Sequence, residues 1–130
     1  MGNLIQHIGT SEDRSLLADV RFNRIGVAIF PGEGELERGT IIMRDASGMY
    51  KAAVSGSLGN AMLAILDEDI DAGTVPTGVG VTARAYESGT FIRERVKFEA
   101  GGELTDADVL ALARLGLLMR ITEGTLNNQV

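Results

Sequence analysis

Apolar and polar residues alternate through the middle of the chain. Ile25, Val27 and Ile29 recur with a period of two until "PGEGE" breaks the run, which predicts a half-buried strand ending in a turn. Next, "GTIIMR" and "MYKAA" flank the turn-former cluster "DASG", predicting a hairpin in which Gly48 takes a positive φ. "AMLAIL", Ala61 to Leu66, is a continuous apolar run of strand length, as expected of a strand buried on both faces. The loop "DEDIDAGTVPTG" then leads into "VGVTARAYE", another strand.

The period changes only in "ELTDADVLALARLGLL". Thr105 and Asp108 have the spacing of a capping box, and Asp106 and Asp108 place negative charge at the positive end of a helix dipole. Val109, Leu112 and Ala113 share one face. Gly116 suits the left-handed C′ position, with Leu117 making the hydrophobic contact that follows it. "LLMRI" reads as a last strand. The pattern predicts a β-rich α+β domain with one short helix near the C-terminus, and no repeat of 20 to 50 residues is visible.

"ARAYESGTFIRERVKF", Ala83 to Phe98, gathers Arg84, Arg93, Arg95 and Lys97 within one segment. With Ser88-Gly89 as a two-residue hairpin loop, Tyr86 pairs with Phe91, Ala85 with Ile92 and Arg84 with Arg93. Val79, Val81, Ala85, Ile92, Val96 and Phe98 then form a core face; a three-residue loop would mix Arg84 with Ile92, so the apolar pattern selects the shorter loop. This register sets two arginines opposite each other and places Glu94 among apolar neighbours. Either the strand end is wet and Glu37, Glu87 or the acidic loop neutralises the arginines, or Arg84, Arg93 and Arg95 meet acidic groups of another chain.

Residues 1–20 are weakly periodic: Leu4, Ile5, Ile8, Leu16 and Leu17 are interrupted by Gly9 and "TSEDR". They read either as a frayed terminus or as a flexible arm that orders on a partner, ahead of a single domain over 21–130.

Composition narrows the functional classes. The 130 residues suit one domain, and aromatics at 5% with 17 Gly suit short strands and tight turns. Twelve Lys and Arg against 18 Asp and Glu give a net charge of −6, which disfavours nucleic acid or an anionic membrane as the main partner. The absence of Cys removes disulfides, a thiolate nucleophile and thiolate metal ligands. No apolar run reaches the roughly 20 residues a membrane helix needs, and the N-terminus lacks a signal pattern, so a soluble, unprocessed protein is expected.

Candidate chemistry is sparse. Asp67, Asp69 and Asp71 open like a calcium loop, but Ala72 stands where that loop needs Gly and Gly78 where it needs Glu. "GEGELERG" resembles a phosphate loop only superficially, because Glu33, Glu35 and Glu37 would repel the phosphate. The one His, His7, lies in the arm with nothing to orient it as a general base. The expectation is a protein with no catalytic residues, no cofactor and no metal.

"AMLAILDEDIDA" followed by "VTARAYESGTFIRERVKFEAGGELTDADVLALARLGLLMRI", with "GTIIMRDASGMYKAA" upstream, resembles the phage head decoration family, the lambda gpD-like capsid-stabilising proteins, over about residues 36–122. The sharpest motif is "SGTF", Ser88 to Phe91; the helical segment after it is longer than the family's pattern. The resemblance implies a small β-clip or β-tulip domain, a homotrimer on the outer surface of the virion, and the major capsid protein as partner, with no direct contact to nucleic acid or membrane. It implies that the N-terminal arm orders by adding to a capsid sheet. The partner-binding candidates are therefore Leu4, Ile5, Ile8, Leu16 and Leu17 in the arm, and Arg84, Arg93 and Arg95. The alternative is a small β-barrel binding module with these arginines as an anion site.

Overall fold

The computed structural model describes residues 16–59 and 61–120. Eight strands and one helix follow in the order β1 (Leu17–Ile29), β2 (Glu35–Leu36), β3 (Ile41–Arg44), β4 (Tyr50–Ala52), β5 (Met62–Leu66), β6 (Ile70–Asp71), β7 (Val81–Ile92), α1 (Asp106–Ala113) and β8 (Leu117–Arg120). The fold is β-rich α+β with its one helix near the C-terminus, as the periodicity predicts.

Pairing runs β1–β4–β3–β5–β7, and β7 returns to β1, so five strands close into a ring with β8 added along β7. The closure on one side is slight, a single parallel register of Ile29 with Tyr50 and one bond from the Phe30 amide to the Tyr50 carbonyl at 2.9 Å. On the other side β1 and β7 run antiparallel over most of their length, from Ile29 opposite Val81 to Leu17 opposite Phe91. A two-stranded ribbon of β2 and β6 stands apart from the ring.

The ring explains why β5 is apolar at successive positions. Ala64 and Leu66 join Val27, Ile29, Ile42, Ala83 and Ala85 in one core, while Leu63 and Ile65 join Ile41, Tyr86, Phe91, Phe98 and Leu112 in the other. Successive side chains of a strand point to opposite faces, so both faces of β5 are covered. Leu63 through Leu66 are all buried. The segment from Val96 to Leu104 and α1 supply the second layer, contributing Val96, Phe98, Leu104 and Leu112.

The "DASG" hairpin forms as expected: β3 and β4 pair antiparallel, the Gly48 amide donates to the Asp45 carbonyl at 3.1 Å, and Gly48 has φ +91°. The capping box also forms. Thr105 Oγ1 accepts from the Asp108 amide and the Asp108 carboxylate accepts from the Thr105 amide. At the other end the helix caps at Arg114, and i→i+3 bonds from the Leu115 and Gly116 amides tighten the last turn. Gly116, at φ +88°, therefore sits one residue beyond the expected C′ position.

The expected hairpin at Ser88-Gly89 does not form. Val81–Ile92 is one uninterrupted strand, and its antiparallel partner is β1 rather than the residues after Gly89. A Ser-Gly pair permits a turn without compelling one. Here β1 supplies a long complementary edge, with bulges between Leu17 and Phe22 and between Asn23 and Arg24 absorbing the mismatch in length. Gly89 lies under Phe22, whose Cβ would be 3.1 Å from any Cβ added there. Phe22 in turn meets Tyr86 edge-on at 5.3 Å, and Tyr86 meets Phe91 at 5.4 Å, an aromatic row linking β1 to β7.

Candidate partner-binding surface

Losing the hairpin separates the arginines. Arg84 and Arg93 do not face each other; nine residues apart along the chain, they are joined by a path of roughly 30 Å at about 3.3 Å per residue. Arg84 is exposed and pairs with Glu68 at 3.6 Å, while its amide donates to the same carboxylate at 2.7 Å. Arg93 lies in a 3-10 turn, Arg93–Arg95, where its guanidinium donates to the Leu104 carbonyl at 2.7 Å and approaches Asp106 at 3.7 Å. Lys97 pairs with Glu37. Carboxylates of the same chain, Glu68 of the acidic loop among them, thus partner Arg84, Arg93 and Lys97. Glu94 is exposed in the 3-10 turn rather than set in a core, and Val79 is exposed in the loop before β7.

The acidic loop has a structural use that its spacing does not announce. Asp67, whose side chain is only 7% exposed, accepts from Arg24 at 2.7 Å and from Arg38 at 3.1 Å. Asp69 accepts from the Arg38 amide at 2.7 Å. Asp67's hydrogen bond and charge push the Arg24 guanidinium above its usual pKa, and burial, assisted by Asp67, raises the Tyr86 phenol. The three aspartates of "DEDID" therefore do not converge on an ion. Among the described residues, no group of three or more His, Asp or Glu is placed to hold a metal.

Asp108 is a buried carboxylate, 2% exposed at the third position of α1. Besides the capping box it accepts from Ser55 Oγ at 2.7 Å and the Gly56 amide at 3.0 Å, pinning the β4–β5 loop to the helix. Burial pushes this carboxyl up, but the bonds from Ser55, Thr105 and Gly56 outweigh it and hold the pKa below the ordinary value. It is a clamp, and every buried side-chain polar atom among the described residues has a partner.

The outside of α1 and β8 carries a cluster of exposed side chains. Leu110, Leu115 and Leu118 are large exposed apolar side chains, interleaved with exposed Arg114 and Arg120. Leu110 and Arg114 share one helix face at i, i+4. β8 pairs with β7 alone among the described residues, leaving its outer edge open. Between β5 and β7, Met62, Leu63, Tyr50, Leu115, Glu87 and Ser88 line an open groove of about 290 Å³.

Of the arm candidates, Leu4, Ile5 and Ile8 lie outside the described residues, as does His7. Leu16 and Leu17 do not behave as arm residues. Leu16 is 3% exposed in the second core, its carbonyl accepts from the Ile92 amide at 2.7 Å, and Leu17 begins β1 opposite Phe91. Residues 16–20, which the sequence pattern places in the arm, are therefore part of the folded domain. No protein-family model matches the chain, and no curated protein matches it.

Proposed function

We propose that the chain is a structural virion component that decorates and stabilises the outside of an icosahedral phage head, binding the major capsid protein as a homotrimer. The observation that carries this reading is the distribution of its free chemistry. Both faces of β5 are packed against buried side chains, and large apolar side chains stand exposed on the rim formed by α1 and β8 and in the loop before β7. A scaffold of this kind needs outward contacts, and many weak identical contacts add through multivalency on a lattice. The order of buried strand, acidic loop, strand through "SGTF", helix and final strand after a glycine supports the resemblance to head decoration proteins. "SGTF" lies within a strand, which departs from the expected hairpin. An anion site built from Arg84, Arg93 and Arg95 is not favoured, because Arg84 and Arg93 are occupied by different carboxylates far apart along the chain.

Purified phage heads lacking the protein provide the test. The expected result is saturable co-sedimentation of the chain with heads and a higher temperature for release of packaged DNA. Absence of binding to heads of the phage that encodes it overturns the reading.

A further inference from the structure

We propose that copies of this chain associate head to tail, the α1–β8 edge of one copy docking on the next copy where its apolar β6–β7 loop adjoins the acidic β2–β6 ribbon. The inference rests on the reading of the chain as a self-associating shell component and adds the two surfaces involved.

The first surface combines exposed Leu110, Leu115 and Leu118 with Arg114 and Arg120, neither of which has a carboxylate partner among the described residues. Two such surfaces facing each other would oppose arginine to arginine, so the patch is a poor match for itself and calls for an acidic, apolar partner. The same chain presents one. In the β6–β7 loop Val79 is 91% and Val75 61% exposed, and beside it the β2–β6 ribbon exposes Glu35 and Asp71, with exposed Asp69 just before β6. Glu35 and Asp71 stand directly opposite each other in that ribbon, concentrating negative charge. That surface also repels its own copy and complements the basic one.

The two surfaces are far apart on each copy: the loop leads into β7 at Val81, whereas β8 pairs with β7 over Gly89–Ile92. Two different complementary surfaces on one chain allow a heterologous contact, which closes into a ring of three or more, whereas a two-fold dimer needs both contacts to form between the same two copies. A three-fold assembly requires this kind of contact. The leucines and valines supply apolar burial, and the charges fix which surface meets which.

The chain has no native cysteine, so single reactive sites can be placed at will. Leu118→Cys and Val79→Cys chains, mixed and treated with a short bis-maleimide, are expected to give covalent heterodimers. Either chain alone is expected to give none, and the doubly substituted chain a ladder ending at a closed species. Arg114→Glu with Arg120→Glu in the Leu118→Cys chain is expected to cut the heterodimer yield at least tenfold. Homodimers of either single variant, no cross-link in the mixture, or a yield indifferent to charge reversal overturns the inference. Undiminished binding of the charge-reversed chain to heads, with the self-contact absent or unaffected by reversal, overturns this inference and leaves the decoration reading standing. Loss of head binding with the self-contact intact does the reverse.

Discussion

Asp67 holds Arg24 at 2.7 Å and thereby ties the loop after β5 to β1. The same carboxylate takes Arg38 on its other oxygen, so three separate stretches of chain meet at one nearly buried anion. Both arginines keep much of their surface in water, which lowers the desolvation cost of the network. Removing the carboxylate leaves two cations close together with nothing between them. Asp67→Ala is therefore expected to lower stability by about 1–3 kcal/mol, measured by urea titration. Arg84→Ala, which removes an exposed pair with Glu68, is expected to change it by no more than about 0.5 kcal/mol. Equal effects of the two would remove the special position of Asp67.

Asp108 makes stability depend on pH in an acid window. Its folded-state pKa lies below the unfolded 3.8, so its contribution is fully present above about pH 4 and is lost as pH falls through the lower folded value. Asp108→Asn keeps the shape but weakens the bonds to Ser55, Gly56 and Thr105, at an expected cost of about 1–2 kcal/mol at pH 7. Denaturation of both proteins from pH 7 to pH 2.5 is expected to bring their stabilities together at the acid end. A gap that stays constant would show that the carboxylate's charge contributes nothing.

Gly39, just before β3, lies against the segment after β7. Its φ is +95°, and an added Cβ would sit 2.4 Å from the Arg95 carbonyl oxygen, while the Lys97 amide donates to the Gly39 carbonyl at 3.0 Å. Gly34 has a similar φ of +77° with open space around it. Gly34→Ala should cost about 1 kcal/mol for backbone strain alone, and Gly39→Ala about 3 kcal/mol or more, because backbone must move. Thermal melts of the two variants check the ordering.

What the sequence made legible was local. The continuous apolar run at 61–66, the Thr105–Asp108 box and the "DASG" turn each depend on neighbours a few residues away, and each forms. The clasp at Asp67 joins residues 43 and 29 positions apart, and nothing in the spacing of "DEDID" indicates which arginines it meets. The segment around Ser88-Gly89 departs from the predicted hairpin for a related reason. Alternation with period two is the same whether a strand folds back on itself or continues beside a distant partner, and only the β1 edge, more than 60 positions away, decides between them. The face of Val109, Leu112 and Ala113 already leaves Leu110 off the core side, but only the fold shows Leu110, Leu115 and Leu118 exposed on neighbouring elements.

The burial of Leu16 separates two truncations that the apolar pattern alone would treat as one. Removing residues 1–15 leaves Leu16 and β1 in place, and that chain is expected to lose binding to phage heads if the arm carries it. Removing residues 1–20 also deletes Leu16 from a core where it is 3% exposed, together with the bond from the Ile92 amide and the first register of β1 on β7. Loss of one buried leucine alone costs about 2–5 kcal/mol, a large share of the stability of a domain this size. The longer truncation is therefore expected to melt well below the shorter one, and Leu16→Ala in the full chain to reproduce most of that loss without affecting residues 1–15. Equal melting temperatures for the two truncations would place Leu16 and Leu17 back in the arm.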